Sequence, residues 1–229
     1  LAVWLRGFKS PAQSQQPGLF LLRYGAQRWE TPAPGSSAWL EPELAAELSG
    51  ARKIRRAPAA SEEIPDALKK AVIAAEDKRF YRHWGLDGRA IARALWSHLT
   101  RRGVMQGGST ITQQLSKNIF LSPKRNMRRK LAEAGLALYL ELRYSKDRIL
   151  TLYLNHIYLG QEGPVSVAGV KAAARFYFGK DLGELSTAEC ATIAGLIRSP
   201  SQYNPLRHPA ESKKRRDFVL TRMREEGFL

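Results

Sequence analysis

The sequence predicts a mainly α-helical protein with a short β-rich segment at its N terminus. From residue 61 to the end, apolar residues recur at intervals of three and four in one segment after another, which is the period of an amphipathic helix. Residues 19–31 read "LFLLRYGAQRWET", which is strand-like in composition and has a glycine near its middle, as expected for a hairpin. No internal repeat is visible.

Residues 1–60 are predicted to be an N-terminal tail and connector, part of an accessory region. Residues 1–17 end in a polar run interrupted by proline, which is typical of a linker. The stretch "LEPELAAELSG" predicts a short acidic helix, and "ARKIRRAPAA" predicts a basic connector. We place the boundary near Ser61, so that residues 61–229 form one domain. The opening "LAVWLRGF" lacks an initiator methionine and is too short for a signal peptide, so we expect a piece of a longer protein.

The domain that follows is predicted to be a succession of helices. The first begins near Ser61, where acidic residues in the opening turn favour a helix start, and continues past Arg79. The second, "GLDGRAIARALWSHLTRR", is amphipathic and closes at Gly103. The later helical segments are "GGSTITQQLSKN", "NMRRKLAEAGLALYLELRYS", "SKDRILTLYLNHIYLG", "GVKAAARFYFGK", "LSTAECATIAGLIRS" and "AESKKRRDFVLTRMREEG".

The composition of the chain limits the kinds of molecule that it can bind and the kinds of site that it can form. The chain has 37 basic and 21 acidic residues, a formal net charge of +16, and such a field attracts nucleic acid, anionic lipid or a phosphorylated substrate. The single cysteine, Cys190, excludes an intramolecular disulfide, and the sequence has no Cys/His cluster of the zinc-binding type. We expect Cys190 to be a small buried residue. No apolar run reaches the roughly 18 residues of a membrane span.

The stretch "AAEDKRFYRHWGLD" is the first that could carry chemistry. If it is helical, Glu76, Phe80, His83 and Asp87 follow one another at intervals of three and four and share one face. A glutamate held beside Phe80 is a candidate proton acceptor. The alternative is an exposed, charged helix end in which His83 caps or packs.

The stretch "QGGSTITQQLSKN" is the second. Its two glycines allow a tight turn, Thr110 with Gln113 matches a capping box, and an apolar stripe at Ile111, Leu115 and Ile119 should face the core. The opposite side carries polar residues: Thr110, Gln113, Gln114, Lys117 and Asn118. A helix N terminus rich in hydroxyls and amides suits an anionic or sugar-bearing ligand. An ordinary capped helix with a polar outer face is an equally good interpretation.

The third stretch, "SPKRNMRRKLAEAGLALYLEL", places a group of cations just before Glu133: Lys124, Arg125, Arg128, Arg129 and Lys130. In the simplest interpretation these pair with Glu133 on a surface helix. Glu133 shares its face with Ala137 and Leu140, however, which argues against full solvation. A carboxylate beside cations also suits a reaction in which pyrophosphate leaves, because the cations neutralise developing charge and the acid can hold a metal.

Five motifs in order, "EDKRFYRHWGLD", "GGSTITQQLSKN", "RRKLAE", "ILTLYLNHIYLG" and "AAARFYFGK", together resemble the family 51 peptidoglycan glycosyltransferases. This domain occurs in bifunctional (class A) penicillin-binding proteins and in monofunctional transglycosylases. The resemblance runs from about residue 64 to the end, and the C-terminal stretch is more similar to the bifunctional type. It implies a lysozyme-like glycosyltransferase lobe with a smaller, membrane-facing jaw lobe.

The implied substrate is lipid II, a disaccharide-pentapeptide on undecaprenyl pyrophosphate. The family joins C1 of the growing, lipid-linked strand to the 4-hydroxyl of an incoming lipid II, inverts the anomeric centre and releases undecaprenyl pyrophosphate. No organic cofactor is expected. Ser-x-x-Lys occurs nowhere in these residues, which excludes a penicillin-binding-type serine acyltransferase within them.

The resemblance also assigns roles to residues. Glu76 matches the general base, and Asp77, Phe80 and His83 match neighbours that shape that end of the cleft. A second group matches residues that bind the donor sugar and phosphates: Ser109, Thr110, Gln113, Gln114, Lys117 and Asn118. Arg129 and Lys130 would hold pyrophosphate, while Glu133 would assist the leaving group, with a loosely bound divalent cation (Mg or Mn) allowed there. Tyr153 and Asn155 match a largely structural motif that lines the cleft.

The implied location is the outer face of the bacterial cytoplasmic membrane, with an anchoring helix upstream and a fused transpeptidase domain downstream. The expected partners are lipid II, the growing glycan strand and the membrane surface, with no nucleic acid. Residues 94–106 mix Trp96 and Met105 with arginines, as an interfacial segment should, although an ordinary packing helix reads the same way.

Two other functions compete with this interpretation. A lytic enzyme would use Glu76 and Glu133 on either side of a glycosidic bond, but cleaving a neutral linkage needs no cation cluster. A nucleic-acid-binding module would use the positive charge, but the basic residues are spread over many segments and match no DNA-binding motif.

Overall fold

A computed structural model describes residues 2–5, 18–21, 23–25, 28–30, 54–100, 108–120, 127–163 and 165–229. The chain divides into two compact units, residues 1–48 and 49–229. In the first unit β1 (Ala2–Leu5) pairs antiparallel with β2 (Gly18–Leu21), and β3 (Arg23–Gly25) pairs antiparallel with β4 (Arg28–Glu30). This confirms the β-rich N-terminal segment. The division at residue 61 stays a prediction, and the acidic helix predicted for residues 40–50 lies outside the described residues.

The second unit is mainly helical, as predicted. Its described helices are α1 (Asp66–Glu76), α2 (Gly88–Thr100), α3 (Ile111–Phe120), α4 (Met127–Arg143), α5 (Lys146–His156), α6 (Val170–Phe178), α7 (Thr187–Leu196) and α8 (Pro209–Glu225). Single 3-10 turns lie at Ser61–Glu63, Phe80–Arg82 and Leu182–Glu184. A three-stranded sheet, in the order β5-β7-β6, consists of β5 (Ile54–Arg56), β6 (Tyr158–Glu162) and β7 (Val165–Ala168).

Part of the basic connector forms a strand, for which no prediction was made. Ile54–Arg56 pairs parallel with β7, and Ile54 lies opposite Ser166. Three residues rich in arginine show no strand alternation, so only the distant partner strand defines this element. The connector is also held by Asn155, whose Oδ1 accepts the N–H of Ala59 at 2.8 Å and whose Nδ2 donates to the Ala59 carbonyl at 2.9 Å.

The core of this unit forms around α7. Seven of its ten residues are buried, and α1 and α8 both pack against it. Leu68 and Val72 from α1 meet Val219 and Met223 of α8 in one apolar cluster. Cys190 on α7 is buried, as predicted, and its burial raises the pKa of the thiol to about 11. Because α1 is anchored in this way, its C-terminal residue, Glu76, has a well-defined position.

The first helix differs from the prediction at both ends. It begins at Asp66, after Pro65, rather than near Ser61, because proline has no N–H to donate and suits a helix start. It ends at Glu76, since Asp77 leaves the helical conformation at φ −156°. The prediction that Glu76, Phe80 and His83 share one helical face is therefore wrong.

Candidate active site

Glu76 lies at the meeting point of three helices. The half-buried Gln114 of α3 donates from Nε2 to Glu76 Oε2 at 2.9 Å, and the hydroxyl of Tyr153, on α5, donates to Gln114 Oε1 at 2.9 Å. Tyr153 is fully buried. That burial, with the nearby charges of Glu76 and Asp77, holds the pKa of the Tyr153 hydroxyl well above its usual value. The phenol is therefore neutral and able to donate.

The next residue, Asp77, ties the end of α1 to the start of α3. Its buried carboxylate accepts the first backbone N–H of α3, from Ile111, at 3.0 Å, and lies 3.0 Å from Nε2 of His83. An ionised carboxylate only accepts, so Nε2 carries the proton. The His83 ring lies edge-on to the buried Phe80 at 6.3 Å between centroids. These three residues form the support behind Glu76, and the exposed-helix-end alternative does not describe them.

The start of α3 is built as predicted. The Thr110 N–H donates to Gln113 Oε1 at 3.1 Å, and the Gln113 N–H donates to Thr110 Oγ1 at 3.2 Å, which is a reciprocal capping box. Thr110 Oγ1 also donates to the carbonyl of Gly85 at 2.5 Å. Thr110 and Gln113 are both buried, so their side chains hold the helix start in place.

The buried stripe of α3 departs from the prediction at one position. Ile111 and Leu115 are fully buried, but Ile119 is 40% exposed, so the expectation that it faces the core is wrong. The buried face of α3 instead includes Thr112 and Ser116. This is possible because both hydroxyls have partners: Thr112 donates to Glu141 Oε1 at 2.6 Å, and Ser116 donates to the Thr112 carbonyl at 2.9 Å. Lys117 and Asn118 remain exposed on the other side.

A second carboxylate, Glu133 on α4, is buried among cations. Its side chain is 4% exposed, with Lys130 Nζ 2.8 Å from Oε2 and Arg129 Nε 3.2 Å from Oε1. Lys130 Nζ also donates to Ser109 Oγ at 2.9 Å, which links α4 to the residue before the α3 cap. Two cations outweigh one carboxylate here, so this cluster favours an anionic ligand. The expectation that Glu133 is poorly solvated is confirmed. Lys124 and Arg125 lie outside the described residues.

The residues at Glu133 do not fit a metal held by the protein alone. A divalent cation needs several oxygen ligands, and Arg129 and Lys130 already compensate this carboxylate. Among the described residues, no group of three or more His, Cys, Asp or Glu side chains could hold a metal ion.

Sequence reasoning missed two parts of the site. Arg215 of α8 is half-buried over the rings of Phe218 and Tyr203; burial lowers the pKa of its guanidinium, and the charge of Glu76 acts in the opposite direction. Lys146 Nζ lies 4.6 Å from the centre of the Phe80 ring and donates to Glu141 at 2.8 Å. The contact of Lys146 with Phe80 and the electrostatic effect of Glu76 on Arg215 have no local sequence signal, because these residues lie far apart in the chain.

Comparisons with known proteins give one consistent family. A family model described as Transglycosylase matches residues 42–224. Penicillin-binding protein 1A of Neisseria cinerea is 49% identical over 167 residues, which is 73% of this chain and 20% of that protein. Penicillin-binding protein 1B of Vibrio cholerae is 44% identical over 190 residues, 83% of this chain and 24% of that protein. The chain thus spans roughly a quarter or less of the length of the relatives it matches.

A further curated relative and a solved structure carry a similar name. Penicillin-binding protein 1F of Bacillus subtilis is 42% identical over 174 residues, which is 76% of this chain and 24% of that protein. The crystal structure of penicillin-binding protein 1A from Haemophilus influenzae is 27% identical and covers 76% of this chain and 16% of its own, with a TM-score of 0.42.

Proposed function

This chain belongs to the transglycosylase family of peptidoglycan glycosyltransferases, and on that premise we propose that it polymerises lipid II into glycan strands with release of undecaprenyl pyrophosphate. Two glutamates in contrasting surroundings carry the proposal. Glu76 is half-buried and, among the described residues, accepts one side-chain hydrogen bond, from the neutral amide of Gln114, whereas Glu133 is buried between two cations. The first environment suits a base, and the second suits a site for pyrophosphate.

In the proposed reaction Glu76 accepts the proton of the acceptor sugar's 4-hydroxyl. Glu76 Oε2 accepts a hydrogen bond from Gln114. Among the described residues no donor binds Glu76 Oε1, so this oxygen is open to take the proton. The acceptor oxygen then forms a bond to C1 of the donor from the face opposite the pyrophosphate. The bond from C1 to the pyrophosphate oxygen breaks, and the electron pair leaves with the pyrophosphate, so the anomeric centre inverts.

Arg129 and Lys130 neutralise the charge that develops on the leaving group, and Glu133 keeps both cations in place. Ser109, bound to Lys130, and the exposed Lys117 and Asn118 belong to the predicted donor site and can be reached by a sugar or phosphate. The half-buried Gln114 is partly accessible as well. We expect a divalent cation, Mg or Mn, to enter with the substrate's phosphates, because the part of the chain that the structure describes offers it no preformed cage.

The two cations paired with Glu133 argue against the lytic alternative. Hydrolysis of a neutral sugar linkage releases a hydroxyl, which two paired cations beside Glu133 do not stabilise selectively.

We further propose that the domain works against a bilayer, on the outer face of the cytoplasmic membrane, with an anchor upstream and a transpeptidase downstream. The outward face of α4 supports this: Leu131 is 73%, Leu138 43% and Leu142 73% exposed, and no charge interrupts that face between Lys130 and Arg143. An apolar face bounded by cations suits an anionic membrane surface. Trp96 of α2 is likewise 71% exposed. No described helix is both long and apolar enough to cross a membrane.

Polymerisation of labelled lipid II in vesicles tests the proposal. Wild type should give a ladder of glycan strands on a gel, and Glu76→Gln should reduce the rate by roughly 10²–10⁴-fold, the usual contribution of general base catalysis. Glu211→Gln, in an exposed pair with Lys214, is the matched control and should leave the rate unchanged. Strands that shorten instead of growing would support the lytic alternative. A folded Glu76→Gln variant with full activity would remove Glu76 from the role of base.

A further inference from the structure

The chain of hydrogen bonds from Tyr153 through Gln114 to Glu76 does more than line a cleft. We propose that Tyr153 and Gln114 are positioning residues that hold one oxygen of Glu76, so that the other oxygen faces the substrate hydroxyl. The inference rests on the proposed function. It assigns Tyr153 an effect on the reaction rate, and it assigns Gln114 a role toward the base rather than toward the donor sugar alone.

The orientation of the Gln114 amide follows from its two partners. A carboxylate only accepts hydrogen bonds, so the amide group that faces Glu76 Oε2 at 2.9 Å is the NH₂. The amide oxygen then faces the Tyr153 hydroxyl at 2.9 Å, and the neutral phenol donates to it. With the amide reversed, its oxygen would oppose a carboxylate oxygen and the bond to Glu76 would be lost. Tyr153 therefore stabilises the one amide orientation that holds Glu76.

Burial makes this arrangement rigid at the Tyr153 end. Tyr153 is 0% exposed, and among the described residues its hydroxyl has one hydrogen-bond partner, Gln114. Gln114 is half-buried on α3, whose first N–H is held by Asp77, the neighbour of Glu76 in the chain. The base is thus fixed twice, through its own side chain and through the backbone beside it. Such preorganisation acts on the rate of the chemical step, because a misplaced base reacts slowly even when substrate is bound.

A double-mutant cycle tests the inference, with Tyr153→Phe, Gln114→Met and the double variant assayed for lipid II polymerisation. Tyr153→Phe should lower kcat about 5- to 10-fold, the effect of one buried hydrogen bond, and leave KM unchanged. In the Gln114→Met background the same substitution should have no further effect on kcat, because Tyr153 acts only through Gln114.

Tyr177→Phe is the matched control. Its hydroxyl donates to the Leu159 carbonyl at 2.9 Å, so it loses a comparable internal hydrogen bond without a contact to Glu76. An equal fall in kcat for this control would indicate a general effect of stability and overturn the inference. Additive effects of Tyr153→Phe and Gln114→Met would also overturn it.

The outcomes separate this inference from the proposed function. If wild type polymerises lipid II and Tyr153→Phe does so at the same kcat, the positioning role of Tyr153 is wrong and the proposed function stands. If folded wild type makes no polymer, the proposed function fails and the inference with it. Should Tyr153→Phe not fold, Gln114→Met carries the test, because its side chain is only half-buried; an unchanged kcat there overturns the inference.

Discussion

Replacing Asp77 with alanine should strongly destabilise the protein, because one buried carboxylate holds two elements together. The Asp77 side chain is 5% exposed and binds both His83 Nε2 and the N–H of Ile111 at 3.0 Å. Without it, the His83 ring and the first amide of α3 lose their partner. The N terminus of α3 also loses a negative charge that complements the helix dipole.

The magnitude follows from these contacts. A hydrogen bond to a charged acceptor contributes about 1.5–3 kcal/mol, so two of them suggest a loss of about 3–6 kcal/mol. Removal of one partner from a buried charged pair gives a similar figure, about 3–5 kcal/mol. For a protein of this size each kcal/mol lowers Tm by roughly 2–4 °C, so Tm should fall by roughly 6–24 °C.

Urea unfolding followed by far-ultraviolet circular dichroism, which reports on the helices, measures this loss. Asp217→Ala is the control, since Asp217 is half exposed in a surface pair with Arg216 and should change the free energy of unfolding by less than about 1 kcal/mol. Asp77→Asn retains one acceptor oxygen, so its loss of unfolding free energy should lie between those of Asp77→Ala and Asp217→Ala. A loss below about 1 kcal/mol for Asp77→Ala would refute the reasoning, because a carboxylate that supports α3 cannot be removed at so small a cost.

Two further predictions concern reactivity and membrane binding. Cys190 should not react with a thiol reagent at pH 8 in the folded protein and should react in urea, because burial raises the pKa of its thiol to about 11; rapid reaction of native protein would contradict the burial. The same shift means that the Cys190 contribution to stability is complete below about pH 9 and declines as pH rises toward 11. Leu138→Ser with Leu142→Ser should weaken binding to anionic vesicles at least about tenfold in a sedimentation assay, as expected for two leucines withdrawn from lipid. Leu206→Ser, at a leucine that is 61% exposed but lies outside α4, should leave vesicle binding unchanged.

Local chemistry explains what the sequence alone determined. The capping box of Thr110 and Gln113 and the pairing of Glu133 with Arg129 and Lys130 join residues three or four apart, so helix geometry brings them together wherever the helix lies. Apolar periodicity also predicts most of the helices between residues 66 and 225. It is wrong for residues 158–160, which were predicted to continue a helix and instead form part of β6. The family resemblance, carried by ordered motifs, was also confirmed by the comparisons.

Tertiary structure decided the contacts that make a site of these parts. The helical pattern of residues 61–87 could not show that α1 stops at Glu76, because the partners of Asp77 come from outside that helix, and one of them, Ile111, lies 34 residues further along the chain. Gln114 and Tyr153 are 39 residues apart, and Ala59 and Asn155 are 96 residues apart. Such pairs have no local signal, since only the packing of whole helices brings their polar atoms within hydrogen-bonding distance. The residue types were in the sequence, but which oxygen of Glu76 stays open was decided by the fold.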